Sequence, residues 1–258
     1  MDTEKRVRYH LLDGIRGLVL ISMIAYHFSW NMVYMYGAKW SWYRSTGAYI
    51  WQQSICWTFI ILSGFCWSMG KQPLKRGMMV FGGGLLVTAV TLAAMPQNRV
   101  VFGVLTCIGS CMLLIIPLDK WLKKIPKEKI MAELGMFISI SLFIVTRNIN
   151  RGYLGFESWN WIRLSREWYQ NLLTAYIGMP GPGFFSTDYF SVIPWFFLFL
   201  TGYFLFGISK KYGWLQWTGL QKRIPFADYL GKHSLLIYLL HQPIIFLLQE
   251  LMRGAGII

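Results

Sequence analysis

The stretch LDGIRGLVLISMIAYHFSW, residues 12–30, decides the fold. It opens an apolar run long enough to cross a bilayer, which takes about 20 helical residues, yet it carries Arg16 and His27. The two residues are eleven positions apart, which is about three helical turns and roughly 16 Å of rise, so we expect both on one face of the helix. An ionisable residue within a membrane span is costly and marks a candidate functional site.

The rest of the chain has the same apolar character. Of its 258 residues, 55% are hydrophobic and only 14% are charged, unlike an ordinary soluble domain. Seven runs predict membrane spans: 17–36, 47–68, 77–95, 100–118, 130–146, 189–208 and 233–251. The sequence therefore predicts an all-α polytopic membrane protein, a bundle of about seven transmembrane helices in a single domain, residues 1–258, with a cytoplasmic N-terminus.

Two apolar segments need a separate interpretation. The first run has a core of about 20 residues and no small-x-small cleavage site after it, which favours a retained span over a removable signal peptide. Segment 171–179 is too short to span and runs into MPGPG, so we expect it to be re-entrant or interfacial.

The net charge of +14 is explained by where the basic residues lie. With the N-terminus inside, the inner segments hold 17 of the 25: Lys5, Arg6, Arg8, Arg16, Lys71, Lys75, Arg76 and the basic residues of clusters 120–129 and 210–232. This asymmetry follows the positive-inside rule. The predicted partner is the lipid bilayer of the cell membrane, and not nucleic acid.

Cysteines and glycines in the spans favour structural roles. Cys56, Cys66, Cys107 and Cys111 all fall inside predicted spans, which is typical of small buried hydrophobes, so we predict neither a metal site nor a disulfide framework. The run 82–84 of three glycines lies within an apolar stretch and favours close helix packing or a flexible point.

The outer segment 147–188 is long and rich in aromatic residues. Long loops often carry function, while aromatic residues are also enriched at membrane interfaces. The sequence leaves open whether these rings stack against a sugar-like substrate.

The polar residues of the first span have structural as well as functional interpretations. Arg16 can snorkel from a helix end to the interface. His27 can be satisfied by Asn31, four residues later, or by a hydroxyl across the bundle. Asp13 can cap the helix and pair with Arg16.

The last span supplies a second polar set in LGKHSLLIYLLHQPIIF, residues 230–246. His241, next to Gln242, is expected near mid-membrane, which favours a polar cavity shared with His27. Neighbouring histidines in a dry site tend to keep at least one neutral, as a general base must be. Asp188, before the sixth span, either orients a histidine or accepts a hydrogen bond from a substrate amine or hydroxyl, or caps a helix.

Five segments together resemble one family: LDGIRGLVLISMIAYHFSW at 12–30, FIILSGF at 59–65, FGVLTCIGSCMLL at 102–114, DYFSVIPWFF at 188–197 and LGKHSLLIYLLHQP at 230–243. The pattern of an arginine or lysine eleven residues before a histidine is similar to that of membrane-bound acyltransferases that modify extracytoplasmic sugars. The whole set resembles the catalytic domain of heparan-α-glucosaminide N-acetyltransferase.

The resemblance implies transfer of an acetyl group from cytoplasmic acetyl-CoA to an amino sugar or hydroxyl of an extracytoplasmic glycan. It implies that His27 is a general base or a transient acyl carrier. The catalytic candidates are His27, His241, Asp188 and Asn31. The candidates for binding acyl-CoA are Arg16, Asp13, Lys71, Lys75 and Arg76, since basic groups suit its phosphates.

The chain departs from the family pattern at two positions. Asn31 stands where the pattern has an acidic residue, and Thr106 stands where it often has a histidine. An amide can orient His27 but cannot raise its basicity by charge. If the missing histidine relays protons in relatives, this protein either uses His241 instead or works differently.

Two other functions compete with the acyltransferase. A proton-coupled transporter would use His27 and His241 as its relay, although it does not explain the eleven-residue spacing or the inner basic cluster. A structural membrane scaffold explains neither feature. Turnover of acyl-CoA separates the enzyme from both.

Overall fold

The structure is a computed structural model that describes residues 8–125 and 128–258. Lys5, Arg6 and Lys127 of the predicted inner segments, and the side chain of Lys129, lie outside it. The helices of the described residues are α1 (His10–Tyr34), α2 (Thr46–Trp67), α3 (Pro73–Ala94), α4 (Val104–Leu122), α5 (Glu128–Thr146), α6 (Leu172–Ile177), α7 (Val192–Lys211), α8 (Ala227–Lys232) and α9 (Ser234–Gly254). The predicted all-α polytopic membrane protein is confirmed.

Six of the seven predicted spans coincide with helical segments long and apolar enough to cross a membrane. Within the described residues these are α1, α3, α4, the segment Ala132–Arg151, α7 and α9. The run 47–68 forms α2, which has 22 residues but is not among those six. Its crossing of the membrane, and the cytoplasmic N-terminus, stay predictions.

The chain divides into two compact units. The first comprises Met1–Phe59 and Gly213–Ile258, and the second comprises Ile60–Tyr212, so α2 runs from one into the other. The single membrane domain stays a prediction.

Glycines bring α1 and α8 into direct backbone contact in the first unit. A Cβ atom built on Gly17 would lie 1.9 Å from the Ala227 carbonyl oxygen, and one on Gly231 would lie 1.8 Å from the Asp13 carbonyl oxygen. No side chain fits at either position, because real Cβ atoms do not approach backbone so closely. Small residues that let helix backbones meet are typical of membrane helix packing.

A small apolar core holds α1 against α2 in the first unit. Leu20, Met23 and Ile55 are almost fully buried and pack together. Beside them Trp51 donates its Nε1–H to Ser22 Oγ at 2.7 Å, so the hydroxyl in the middle of α1 is paired. This hydrogen bond and the apolar contacts beside it join α1 to α2.

The second unit packs α3 against α4 and α5 against α7. A Cβ atom on Gly84 would lie 2.5 Å from the Thr106 nitrogen, whereas one on Gly82 would meet nothing within 4 Å. Close helix packing is therefore confirmed for Gly84 and not for Gly82. Cys107 and Cys111 are buried in α4, and Cys56 and Cys66 are partly buried in α2, all as free thiols.

The outer segment contains regular structure that the sequence analysis did not predict. Strands β1 (Tyr153–Phe156) and β2 (Trp159–Arg163) form an antiparallel hairpin with an irregularity between Leu154 and Gly155. The segment 171–179 contains only the six-residue helix α6. Its position relative to the membrane stays a prediction.

Candidate active site

Helix α1 carries four of the predicted site residues on one continuous helix from His10 to Tyr34. The rise from Arg16 to His27 is therefore uninterrupted and amounts to roughly 16 Å. The helix begins before Asp13, at His10, whose Nδ1 lies 3.1 Å from Asp228 Oδ1 of α8. This contact holds the first turn, so the expectation that Asp13 caps the helix is wrong.

Asp13 instead bridges two arginines at the start of α1. Arg16 Nη1 donates to Asp13 Oδ1 at 3.1 Å, which confirms the predicted pair, and Arg8 donates to Asp13 Oδ2 at 3.0 Å. The Arg16 side chain is 20% exposed. The Asp13 side chain is 15% exposed, so the pair is partly buried, and Asp13 restricts where the Arg16 guanidinium lies.

His27 of α1 and His241 of α9 lie in contact. The ring centroids of His27 in α1 and His241 in α9 are 4.9 Å apart, with an angle of 57° between the ring planes. His241 is only 6% exposed. The structure thus brings together the two residues that the sequence analysis expected at a similar depth.

A chain of amides joins the histidine pair to the backbone of α1. Gln242 Nε2 lies 2.9 Å from His27 Nδ1, and Gln242 Oε1 accepts a bond of 3.4 Å from Asn31 Nδ2. Asn31 Nδ2 also donates to Gln249 Oε1 at 2.9 Å, and Gln249 Nε2 donates to the Phe28 carbonyl oxygen at 3.1 Å. Asn31 and Gln249 are 2% and 0% exposed.

Two features of this chain of hydrogen-bonded amides differ from what the sequence predicted. The direct partner of His27 is Gln242, and not Asn31, which lies one amide further away. Gln249 was missed altogether. It lies seven residues after Gln242, which places the two on the same face of α9 because seven steps of 100° come within about 20° of two full turns. A buried polar residue at that spacing in an apolar helix was the available signal.

The second histidine uses only one of its nitrogens. His241 Nδ1 is hydrogen-bonded to the Tyr238 carbonyl oxygen. His241 Nε2 is buried and has no hydrogen-bond partner in the parts of the chain that the structure describes. Buried polar atoms are nearly always bonded, so this nitrogen is a candidate for direct contact with a substrate.

Asp188 lies in the second unit, at the start of α4. Its Oδ2 accepts a bond of 3.3 Å from the Val104 N–H, so it satisfies the N-terminus of α4 and not that of α7. Burial raises its pKa from the usual 3.8 to about 6, and the bond from Val104 partly opposes that shift. Of the interpretations of Asp188, the contact with the Val104 N–H therefore supports the one at a helix terminus. A role of Asp188 in orienting a histidine stays a prediction.

The basic candidates near α3 also belong to the second unit. Lys71 and Lys75 are exposed. Arg76 Nη1 donates to the Trp67 carbonyl oxygen at 3.3 Å and lies over Gly70, where an added Cβ atom would collide with the guanidinium. The use of these residues together with Arg16 in one acyl-CoA site stays a prediction.

The arrangement in the first unit has the chemical groups that acyl transfer requires. A buried imidazole nitrogen with a lone pair can accept the proton of an attacking amine or hydroxyl. A neighbouring imidazole N–H can stabilise negative charge on a carbonyl oxygen. A scaffold needs neither group.

Comparison with known proteins identifies the family. No characterised protein in the curated set and no solved structure matches the chain. The family model described as "Heparan-alpha-glucosaminide N-acetyltransferase, catalytic" matches residues 8–243, which include Arg16, both histidines and Gln242. The chain belongs to this family, and it is in general terms an integral multi-pass membrane acetyltransferase.

Proposed function

We propose that this protein transfers an acetyl group from cytoplasmic acetyl-CoA to an amino sugar or a hydroxyl group of an extracytoplasmic glycan. The observation that carries the proposal is the contact of His27 with His241, 4.9 Å between ring centroids, inside the region that matches the acetyltransferase family. The site would lie in the membrane of the cell, with the donor entering on one side and the acceptor on the other.

The reaction needs a group that removes the proton of the acceptor. A neutral histidine does this when the acceptor nitrogen or oxygen attacks the thioester carbon, and it returns the proton to the departing thiolate of CoA. Alternatively, a histidine first takes the acetyl group itself and then passes it on. His27 and His241, whose rings lie in contact, are the two candidates for these roles.

The spacing along α1 suits the shape of the donor. The phosphates of CoA are anionic, and charge-assisted bonds to arginine are among the strongest that a protein can offer them. Arg16, held by Asp13 at 3.1 Å, is the candidate contact. From there the pantetheine arm would extend along α1 for roughly 16 Å of helix rise to reach His27. Lys71, Lys75 and Arg76 would add positive charge at the inner surface.

The test is release of free CoA from acetyl-CoA by the detergent-purified protein, with and without glucosamine-type acceptors. We expect His27→Ala to reduce turnover by about 10²–10⁴, the usual contribution of a general acid or base. The matched control is His233→Ala, because His233 is exposed at the start of α9. A wild-type protein that neither binds nor turns over acetyl-CoA would contradict the proposal.

A proton-coupled transporter is the second candidate, because two histidines in ring contact can also pass protons. It predicts substrate flux into liposomes without any acyl donor. Under the acyltransferase proposal no such flux is expected, and the product of the reaction carries the acetyl group.

A further inference from the structure

The amide chain between His27 and the backbone of α1 has a fixed direction. Its far end is the Phe28 carbonyl oxygen, which can only accept a hydrogen bond. Gln249 must therefore turn its Nε2 toward Phe28, at 3.1 Å, and its Oε1 toward Asn31. The oxygen of Gln249 can only accept, so Asn31 presents its Nδ2 to it, at 2.9 Å.

The same reasoning continues from Asn31 to the imidazole. The Asn31 amide nitrogen has two protons, and the second points at Gln242 Oε1, 3.4 Å away. Gln242 is thereby oriented with its Nε2 toward His27 Nδ1, at 2.9 Å. An amide N–H requires an acceptor, so His27 Nδ1 carries the lone pair and the proton of the neutral ring lies on Nε2.

His241 has the opposite arrangement. Its Nδ1 faces the Tyr238 carbonyl oxygen, which can only accept, so Nδ1 carries the proton. The lone pair is then on Nε2, the atom that is buried and has no partner within the described residues. The pair thus combines one ring with its lone pair on Nε2 and one ring with its proton on Nε2.

We propose that Gln249, Asn31 and Gln242 are positioning residues that hold the proton of His27 on Nε2, so that His241 Nε2 is the general base and His27 Nε2–H is the hydrogen-bond donor to the substrate carbonyl. This assignment rests on the proposed function for its chemistry. Gln249 lies beyond residue 243, where the family match ends.

The acetyl transfer then proceeds in one direct displacement. The acceptor N–H or O–H gives its proton to His241 Nε2 while the nitrogen or oxygen bonds to the thioester carbon. His27 Nε2–H stabilises the negative charge on the carbonyl oxygen. The C–S bond breaks, and the His241 imidazolium protonates the departing sulfur. The products are the acetylated acceptor and CoA, and His27 itself is not acetylated because neither of its nitrogens has a free lone pair.

The tautomers can be measured without any substrate. The chain has four histidines, so long-range ¹H–¹⁵N correlation spectra of the full-length, ¹⁵N-histidine-labelled protein in detergent can be assigned with single His variants. At a pH where both rings are neutral, we expect His27 as the Nε2–H tautomer and His241 as the Nδ1–H tautomer.

Two variants test the amide chain itself. Gln249→Leu removes the anchor at Phe28, so the remaining amides can point either way and His27 should show both tautomers. Gln221→Leu, an exposed glutamine, is the matched control and should leave the spectrum unchanged. Gln242→Glu replaces the donor by a group that only accepts, so the His27 proton should move to Nδ1.

The outcomes decide the inference independently of the proposed function. A wild-type His27 with its proton on Nδ1, or a tautomer unmoved in both Gln249→Leu and Gln242→Glu, would overturn it. If Gln249→Leu does not fold, the wild-type spectrum and Gln242→Glu still decide. If the protein shows the predicted tautomers but never releases CoA, the proposed function is refuted, while the positioning role of the three amides is retained.

Discussion

Replacing His241 with asparagine separates its structural bond from its proposed chemistry. The Nδ2 of an asparagine occupies about the position of the histidine Nδ1, so His241→Asn keeps the donation to the Tyr238 carbonyl. It removes Nε2, the buried nitrogen without a partner among the described residues. The change therefore deletes the proposed base while leaving its backbone anchor in place.

The expected magnitudes for His241→Asn differ between stability and rate. Loss of part of a buried ring that contacts His27 costs no more than about 2 kcal/mol of unfolding free energy. Loss of a general base lowers turnover by about 10²–10⁴, or about 3–5 kcal/mol of activation free energy. The KM for acetyl-CoA should change by no more than about twofold, because Arg16 lies roughly 16 Å of helix rise away from the reacting end.

The assay for His241→Asn is the initial rate of CoA release at saturating acetyl-CoA and acceptor, beside thermal unfolding in the same detergent. His233→Asn is the control, since that residue is exposed. A His241→Asn protein that keeps its turnover within about threefold of wild type would refute the assignment of His241 as the base.

Three further predictions concern the donor site, the fold and pH. Arg16→Gln should raise the KM for acetyl-CoA by about 10–100-fold with little change in kcat, as expected for one lost charge-assisted bond. The control Arg223→Gln, at an exposed position, should leave the KM unchanged. Equal KM values for the two variants would exclude Arg16 from the donor site. Gly17→Ala should lower the unfolding free energy by about 1–3 kcal/mol, because its Cβ would lie 1.9 Å from the Ala227 oxygen. The control Gly82→Ala, with open space around it, should be neutral or slightly stabilising. Equal melting temperatures for the two variants would show that α1 and α8 do not meet at Gly17. The native state holds the Asp188 proton more tightly than the unfolded chain does, with a pKa of about 6 against 3.8, so the contribution of Asp188 to stability should fall by up to about 3 kcal/mol as pH rises from about 4 to 6. Asp188→Asn should remove that dependence on pH. A melting temperature with the same pH dependence in wild type and variant would contradict the buried position of Asp188.

The features predictable from the sequence were those that depend on spacing within one helix or on the length of one apolar run. The spacing of Arg16 and His27 along α1 follows from helix geometry, and the spans follow from the length of apolar runs. The start of α1 was predicted too late, because the contact that holds its first turn joins His10 to Asp228, 218 residues away in the chain. No local pattern contains that contact.

The composition of the site was predictable only in part. Two histidines in apolar helices were visible as candidates, and their contact could be expected from similar depth. The amide chain was not, because Asn31 and Gln249 are also separated by 218 residues and each alone is an ordinary polar residue in a helix. The partner of Asp188 could not be predicted for the same reason, since it is the backbone of Val104, 84 residues earlier. The hairpin of β1 and β2 was missed because its strands have only four and five residues and all five residues of β2 are exposed, so no alternation of buried and exposed positions marks them.

The central claim is that this protein passes an acetyl group across a membrane through the site at His27 and His241. The most direct measurement uses proteoliposomes with glucosamine trapped inside and labelled acetyl-CoA, which does not cross the bilayer, added outside. The account predicts labelled N- or O-acetylated sugar inside vesicles that contain the wild-type protein, and none with His27→Ala or His241→Asn. Intact acetyl-CoA and no labelled product with a folded wild-type protein would contradict it.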